Sequence, residues 1–253
     1  MSYVLTVAMQ KGGVAKTTTA LTLAQAAQSR GQQVLCLDLD PQGNLTFALG
    51  ANAKAPGCYE VLEGTAKIGK TIQGCNGIDV IPASLQLVTE KTTKGSGNRL
   101  RKALADIVGY YDLIIIDTPT LAGELLYNAL LASNGLLIPT QADIYNLQSI
   151  YQLNDIAKAM QATSPYLQIL GYVITRADKR STIAKQMQEN LKKTGLDCLG
   201  VISNGIAVQE AAALQANLYE YAPKCKPAAE YMALYERITK EAKKYAEETA
   251  TGK

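Results

Sequence analysis

The chain contains no histidine, which removes the commonest general base and the commonest zinc ligand. Whatever chemistry it performs must run on carboxylates, lysines, hydroxyls or a bound ion. Its cysteines, Cys36, Cys58, Cys75, Cys198 and Cys225, are scattered without a CxxC pair, and their odd number argues against a closed disulfide framework. Reduced, structural thiols are expected. No apolar run reaches the ~18–20 residues that a membrane span needs. The N-terminus enters a strand pattern at once, with neither a basic n-region nor a signal h-region, so a cytoplasmic location is expected. Charge of one sign is also scarce: a net +3 is too small to name a nucleic-acid partner, and the distribution of basic residues has to carry that argument.

What is present is a soluble globular composition, 47% hydrophobic and 19% charged, in a chain of 253 residues. That length suits one large α/β domain over residues 1–253. Short runs rich in β-branched residues and leucine fall at Val4–Ala8, Val34–Leu39, Ile78–Ile81, Leu113–Ile116, Leu136–Ile138, Ile169–Ile174 and Leu199–Ile202. Segments of helical period lie between most of them: Thr17–Arg30 closed by Gly31, Leu100–Val108, Glu124–Leu131, Leu147–Met160, Thr182–Lys193 closed by Gly195, and Ala228–Glu248. The stretch Lys91–Arg99 reads as a surface loop. Strands alternating with crossover helices predict a doubly wound, mostly parallel sheet flanked by helices, with ligands beyond the carboxyl ends of the strands.

At such a place, between the first strand and the first helix, stands Met9-Gln-Lys-Gly-Gly-Val-Ala-Lys-Thr-Thr-Thr-Ala20. Backbone N–H groups of a glycine-rich turn and the positive end of the next helix make an anion cradle, to which Lys16 adds charge for β- and γ-phosphates. Thr17 is placed to offer its hydroxyl to Mg²⁺. Against the strict pattern G-x-x-x-x-G-K-[ST] the loop carries Gln10 and Ala15 where glycines belong, leaving Gly12 and Gly13 to supply the flexibility. Ala15 is expected to hold a negative φ at the helix start, where a methyl group costs little. Lys91-Thr92-Thr93 also contains the K-T-T triplet, but it lacks glycines and a preceding strand. Two further motifs end strands: Asp38 and Asp40 in Val34–Asn44, and Asp117 in Asp112–Thr120. Carboxylates arriving from neighbouring strands above one phosphate loop suit a hard, oxygen-loving cation such as Mg²⁺.

The octapeptide Lys11-Gly-Gly-Val-Ala-Lys-Thr-Thr18 resembles the deviant Walker A sequence K-G-G-x-G-K-[ST] of the ParA/MinD class of P-loop ATPases. More narrowly, Asp38–Asn44 is similar to the D-x-D-P-Q-G-N of ParA/Soj partition ATPases, Ile116–Thr120 to their I-D-x-P-P, and Leu125–Ile150 to their segment ending in I-P-x-Q-x-x-x-x-x-L. The resemblance implies ATP and Mg²⁺ as cofactors and slow, switch-type ATP hydrolysis. It implies that Gly12, Gly13, Val14, Ala15, Lys16, Thr17 and Thr18 cradle the phosphates. Lys11 would reach across a nucleotide-sandwich homodimer to the other subunit's phosphates, the logic of an arginine finger worth about 10³–10⁵ in rate. Asp40 would orient or activate the attacking water, Thr17, Asp40 and Asp117 would hold the metal, and the Asp117–Thr120 turn would sense the γ-phosphate. Thr175, Arg176, Ser203 and Asn204 would wall the base. Here the sequence departs from the family, with Thr120 for its second proline, Ile202-Ser203 for I-P and Gln209–Ala212 for S-E-A-P.

The same resemblance implies an ATP-gated dimer that coats DNA without sequence preference, and a ParB-like centromere-binding protein that stimulates hydrolysis and release, on a nucleoid in the cytoplasm. Arg180 matches the family's DNA-binding arginine, and Lys185, Lys192 and Lys193 lie beside or outside a helical stripe of Ile183, Met187 and Leu191. Arg99, Arg101, Lys102, Lys224 and Lys226 are further candidates. Contacts to phosphates would give a salt slope of about −0.9 per phosphate neutralised. No helix-turn-helix domain is expected ahead of the phosphate loop. The alternative is a MinD-like ATPase that positions a complex at a membrane surface. It needs an apolar membrane face on the last helix, whose Tyr231, Leu234, Tyr235, Ile238 and Ala242 read instead as a stripe docked on the domain. An electron carrier of the nitrogenase-reductase kind would need cluster-ligating cysteines, and an ATP-dependent ligase would need an acid-binding site that the sequence does not display.

Overall fold

The computed structural model of the protein describes residues 2–89, 96–143, 145–177 and 182–250. Arg180, the Lys91-Thr92-Thr93 triplet and most of the expected surface loop around it lie outside the described residues. Eight strands form a single sheet: β1 (Tyr3–Val7), β2 (Val34–Asp38), β3 (Gln73–Cys75), β4 (Ile78–Ile81), β5 (Leu113–Asp117), β6 (Gly135–Thr140), β7 (Gln168–Ala177) and β8 (Cys198–Ser203). Their order across the sheet is β3-β4-β2-β5-β1-β6-β7-β8, parallel throughout except for β3 against β4. The helices are α1 (Lys16–Ser29), α2 (Asn44–Leu49), α3 (Cys58–Glu63), α4 (Arg99–Leu104), α5 (Glu124–Ala132), α6 (Tyr145–Gln161), α7 (Thr182–Lys192), α8 (Ile206–Ala213), α9 (Leu218–Tyr221) and α10 (Lys226–Ala250).

β1, β2, β5 and β6 are buried at every position, as runs of Val, Ile and Leu with helices over both faces require. One face is covered by α1 and α10, the other by α3 and α4 toward β2 and by α5, α6 and α7 toward β6 and β7. The alanines of α1, with Ala20, Ala24 and Ala27 fully buried, let this helix lie close on the strands. Gly31 ends it in the left-handed region at φ 78, and its N–H donates to the Gln28 carbonyl.

The parallel register matters most at the carboxyl ends. Val7 of β1 pairs with Asp117 of β5, and Asp38 of β2 pairs with the same Asp117. The phosphate loop and two strand-end carboxylates are therefore neighbours by construction, at the point where the chain leaves one half of the sheet for the other.

Two expectations need correction. β3 carries no apolar period and was not foreseen, although Asn76-Gly77, at φ 51 and 78, is the Asn-Gly signature of a two-residue hairpin turn. In α7 the inward stripe is Ala184, Met187 and Leu191, an i, i+3, i+7 set, while Ile183 is 53% exposed. The i, i+4, i+8 spacing drifts around a 3.6-residue helix, and the core takes the tighter stripe.

α10 packs its Tyr231, Leu234, Tyr235 and Ile238 into the core shared with α1 and β8. Burial of Leu234 and Ile238 alone stabilises the docked helix by roughly 3–6 kcal/mol. The Tyr231 and Thr19 hydroxyls meet at 3.3 Å and tie α10 to the first turns of α1. No helix among the described residues is long and apolar enough to cross a membrane.

Candidate functional site

The loop from Ala8 to Ala15 leaves β1 and enters α1 above the carboxyl edge of the sheet. Met9 and Val14 are buried and pin it down, while Gly12 and Gly13 are exposed, and a Cβ on either would meet nothing within 4 Å. Gly13 is left-handed at φ 79. Contrary to the sequence expectation, so is Ala15, at φ 64 and ψ 36. A methyl-bearing residue loses roughly 1–2 kcal/mol in that region. The glycine of the strict pattern thus answers a backbone requirement that Ala15 meets under strain.

Surrounding bonds fix this geometry. The Gln141 amide donates to the Gly13 carbonyl at 2.9 Å, and the Thr175 hydroxyl lies 3.1 Å from the carbonyls of Val14 and Thr140. Helix α1 starts at once, with the Thr19 N–H on the Ala15 carbonyl at 2.9 Å.

Lys16 is only 7% exposed. Its ammonium reaches back to the Lys11 carbonyl at 3.4 Å, closing the loop on itself. Burial lowers its pKa, against the opposing pull of the Asp117 and Asp40 charges. A desolvated ammonium of this kind favours an incoming polyanion.

The Thr17 hydroxyl donates to Asp117 Oδ2 at 2.6 Å, so two expected metal ligands touch. Asp117 Oδ1 is buried with no hydrogen-bond partner. Burial first, then the Asp38 charge, pushes the Asp117 carboxyl well above the usual carboxylate range, with Thr17 and Lys16 acting in the other direction. An orphaned carboxylate oxygen beside a threonine hydroxyl, facing an anion cradle, fits Mg²⁺, which takes one or two carboxylates and fills the rest of its octahedron with water and phosphate oxygens. No cluster of three or more acidic, histidine or cysteine ligands occurs among the described residues.

Asp38 and Asp40, two residues apart, sit in different surroundings. Asp38 is fully buried and accepts from the Thr46 N–H and hydroxyl, both at 2.8 Å, and from the Asp40 N–H at 3.1 Å. Its pKa is pushed up to about 6, chiefly by burial. It braces α2 against the end of β2. Asp40 is half-buried, receives the Gln42 N–H at 3.0 Å, and lines the cavity.

That cavity measures about 660 Å³, within the range of small-molecule sites. Gly12, Gly13, Val14, Ala15, Lys16, Thr17 and Thr18 form its floor, and Asp40, Thr120 and Arg176 stand around it. Lys11 does not line it. The Lys11 ammonium pairs instead with Asp143 Oδ2 at 3.2 Å and lies 6.0 Å from the centre of the Tyr145 ring. Three apolar side chains at the cavity mouth are turned to solvent: Phe47 (61% exposed), Val88 (69%) and Leu121 (77%).

The expected base wall forms a separate, smaller space. Thr175, Arg176, Ser203 and Asn204 do come together, around a cavity of about 30 Å³ that Thr18 and Gln209 also line. Ser203 is already engaged there: its N–H and hydroxyl both meet the Glu230 carboxylate of α10, at 2.6 and 3.0 Å. Glu230 is a partner of Ser203 that sequence reading missed, because only the fold brings α10 to the end of β8. Lys185 and Lys192 are exposed on α7, and Lys193 is exposed just beyond its end.

Comparison with known proteins identifies the family. The family described as "AAA domain" matches residues 2–169. The chromosome-partitioning ATPase Soj of Thermus thermophilus is 34% identical over 238 residues, covering 92% of this chain and 94% of that one. Among solved structures, a putative plasmid partition protein of Borrelia burgdorferi bound to AMPPNP superposes with a TM-score of 0.81 at 28% identity, covering 95% of this chain and all of that one. Cobyrinic acid a,c-diamide synthase of Mycobacterium smegmatis, with a bound ATP analogue and magnesium, gives 0.81 at 29% identity, covering 96% of each chain. A phosphate loop with an early lysine, two strand-end carboxylates in register and a relative matched along nearly its whole length together place the chain in the ParA/Soj family of partition ATPases.

Proposed function

We propose that residues 1–253 act as one ATP-driven switch for DNA partition, closing as a homodimer around two nucleotides. The separation of the two lysines carries this reading: Lys16 is buried in its own cavity, whereas Lys11 lies outside it, beside Asp143. The exposed Phe47, Val88 and Leu121 rim supplies apolar surface for a second copy to cover.

In this reading the N–H groups of the phosphate loop and the Lys16 ammonium bind the β- and γ-phosphates, and Thr17 and Asp117 hold Mg²⁺ with help from Asp40. Bound Mg²⁺ neutralises charge on the phosphates. The Asp40 carboxylate orients the attacking water and takes its proton. Lys11 of the second copy leaves Asp143 and meets the charge that develops on the transferred phosphoryl group. Thr118, whose hydroxyl donates to the Val7 carbonyl at 3.0 Å, ties the Asp117–Thr120 turn to the root of the phosphate loop, which suits that turn to report on the γ-phosphate.

Closure brings together two sets of the basic residues called from the sequence, Arg180, Lys185, Lys192 and Lys193, so that DNA binding, non-specific and phosphate-directed, follows the nucleotide. A ParB-like partner then stimulates the slow hydrolysis and releases the dimer from the nucleoid. The membrane-positioning alternative is disfavoured by α10, which commits its apolar stripe to the core. DNA and liposome co-sedimentation with ADP, ATP and a non-hydrolysable analogue tests the choice. Retention on DNA with the triphosphates alone is expected. Retention on liposomes instead would overturn the partition reading.

A further inference from the structure

The short helix α2 lacks a local cap. The residue before it is Gly43, left-handed at φ 65 and without a side chain to offer, so the N–H groups of the first turn need partners from elsewhere. The N–H of Thr46, third in the helix, finds one in Asp38 Oδ2 at 2.8 Å, and the Thr46 hydroxyl donates to the same oxygen at 2.8 Å. That hydroxyl is used a second time. As an acceptor it takes the Ala83 N–H at 2.9 Å, just beyond the end of β4. One buried oxygen thus joins the end of β2, the first turn of α2 and the chain leaving β4, with its single proton and a lone pair both committed.

Between Asp38 and Thr46 runs the turn that carries Asp40. The Asp40 N–H donates to Asp38 Oδ1 at 3.1 Å at one end, and the Phe47 N–H donates to the Gly43 carbonyl at 2.9 Å at the other. Inside the turn the Gly43 N–H meets the Asp40 carbonyl at 2.8 Å, and the Gln42 N–H meets Asp40 Oδ1 at 3.0 Å. The aim of the Asp40 side chain therefore follows from where Asp38 and the start of α2 stand, and the Thr46 hydroxyl ties both to the neighbouring strand. Asp40 lines the phosphate cavity, whereas Thr46 is 1% exposed and does not. Any effect of its hydroxyl on a reaction in the cavity has to pass through the turn.

We propose that Thr46 is a positioning residue for Asp40: its hydroxyl clamps the Asp38 carboxylate and the first turn of α2 to the end of β4, and so holds the Asp40 carboxylate at the attacking water. The inference rests on the nucleotide reading above and adds to it a buried group outside the cavity. A misplacement of about 1 Å at the reacting groups costs on the order of 10²-fold in rate, so a hydrogen bond remote from the phosphates is enough to govern turnover.

Thr46→Val keeps the shape of the side chain and removes the hydroxyl. In steady-state ATP hydrolysis with Mg²⁺ it is expected to lower kcat by about 10–100-fold and to move KM and the calorimetric ATP affinity by less than about 2-fold. Thr46→Ser, which keeps the hydroxyl, is expected to stay within about 3-fold of the parent kcat. Thr46→Ala set against Thr46→Ser makes the same comparison should the valine variant fail to fold. The Asp40→Ala background separates positioning from a merely structural loss. Single-turnover hydrolysis in that background is expected to fall no further when the hydroxyl is removed, because the group it aims is already gone. Equal losses in both backgrounds, a fall in ATP affinity that matches the fall in kcat, or an unchanged kcat would each overturn the proposal. A parent protein that binds no ATP, or an Asp40→Ala protein with full turnover, would overturn the underlying reading as well.

Discussion

The phosphate end and the base end of the cleft are built by opposite means. At the phosphate end one continuous segment, Lys11 to Thr18, supplies almost every group, and neighbouring strands hold it through Gln141, Thr175 and Asp117. At the base end the walls come from β7, β8 and α10, far apart in sequence, and much of their polarity is spent internally, as the Ser203 to Glu230 pair shows. A fixed anion cradle sits beside an adjustable pocket.

The strongest way to break this contrast is to remove the cradle's charge. Lys16→Ala should lower ATP affinity by at least about 100-fold, the loss of a desolvated charge-assisted contact. Ordinary affinity in a nucleotide titration would contradict the assignment of the loop. Asp40→Ala should still bind ATP and lose hydrolysis by about 100-fold or more, within the range of general base contributions. Undiminished phosphate release would remove Asp40 from the chemistry.

Smaller effects belong to the base end. Glu230→Ala leaves the Ser203 N–H without its charged partner and should lower stability by about 1–3 kcal/mol, with a several-fold weakening of ATP and none of tripolyphosphate. A matching loss for tripolyphosphate would merge the two ends into one unit. The smallest effect returns to the loop. Ala15→Gly relieves a left-handed alanine worth roughly 1–2 kcal/mol but frees the unfolded chain by about 0.4–1 kcal/mol. A net gain of up to about 1 kcal/mol is expected in chemical denaturation, and a clear loss would show that Ala15 is not strained.

The same contrast explains what could be read from the sequence. Lys16, Thr17 and Asp117 were legible because a local motif and strand-end positions fix them, and the parallel register then brings Val7, Asp38 and Asp117 side by side. The handedness of Ala15 was misread, since composition at one position does not show which backbone region the surrounding bonds impose. The resemblance singled out Asp40 and gave Asp38 no part. The fold supplies the physical reason: Thr46 satisfies Asp38, while Asp40 lines the cavity. Glu230 was invisible for a related reason: it lies 27 residues from Ser203, and its partnership exists only once α10 docks.

The central claim is that Lys11 completes the site of a second copy. Light scattering on Asp40→Ala protein with ATP and Mg²⁺, with and without Lys11→Ala, tests it most directly. The account predicts twice the 27.1 kDa chain mass with ATP, the single-chain mass with ADP, and the single-chain mass in both nucleotides once Lys11 is removed. A triphosphate-loaded protein that stays at the single-chain mass, or a Lys11→Ala variant that pairs as well as its parent, would contradict it.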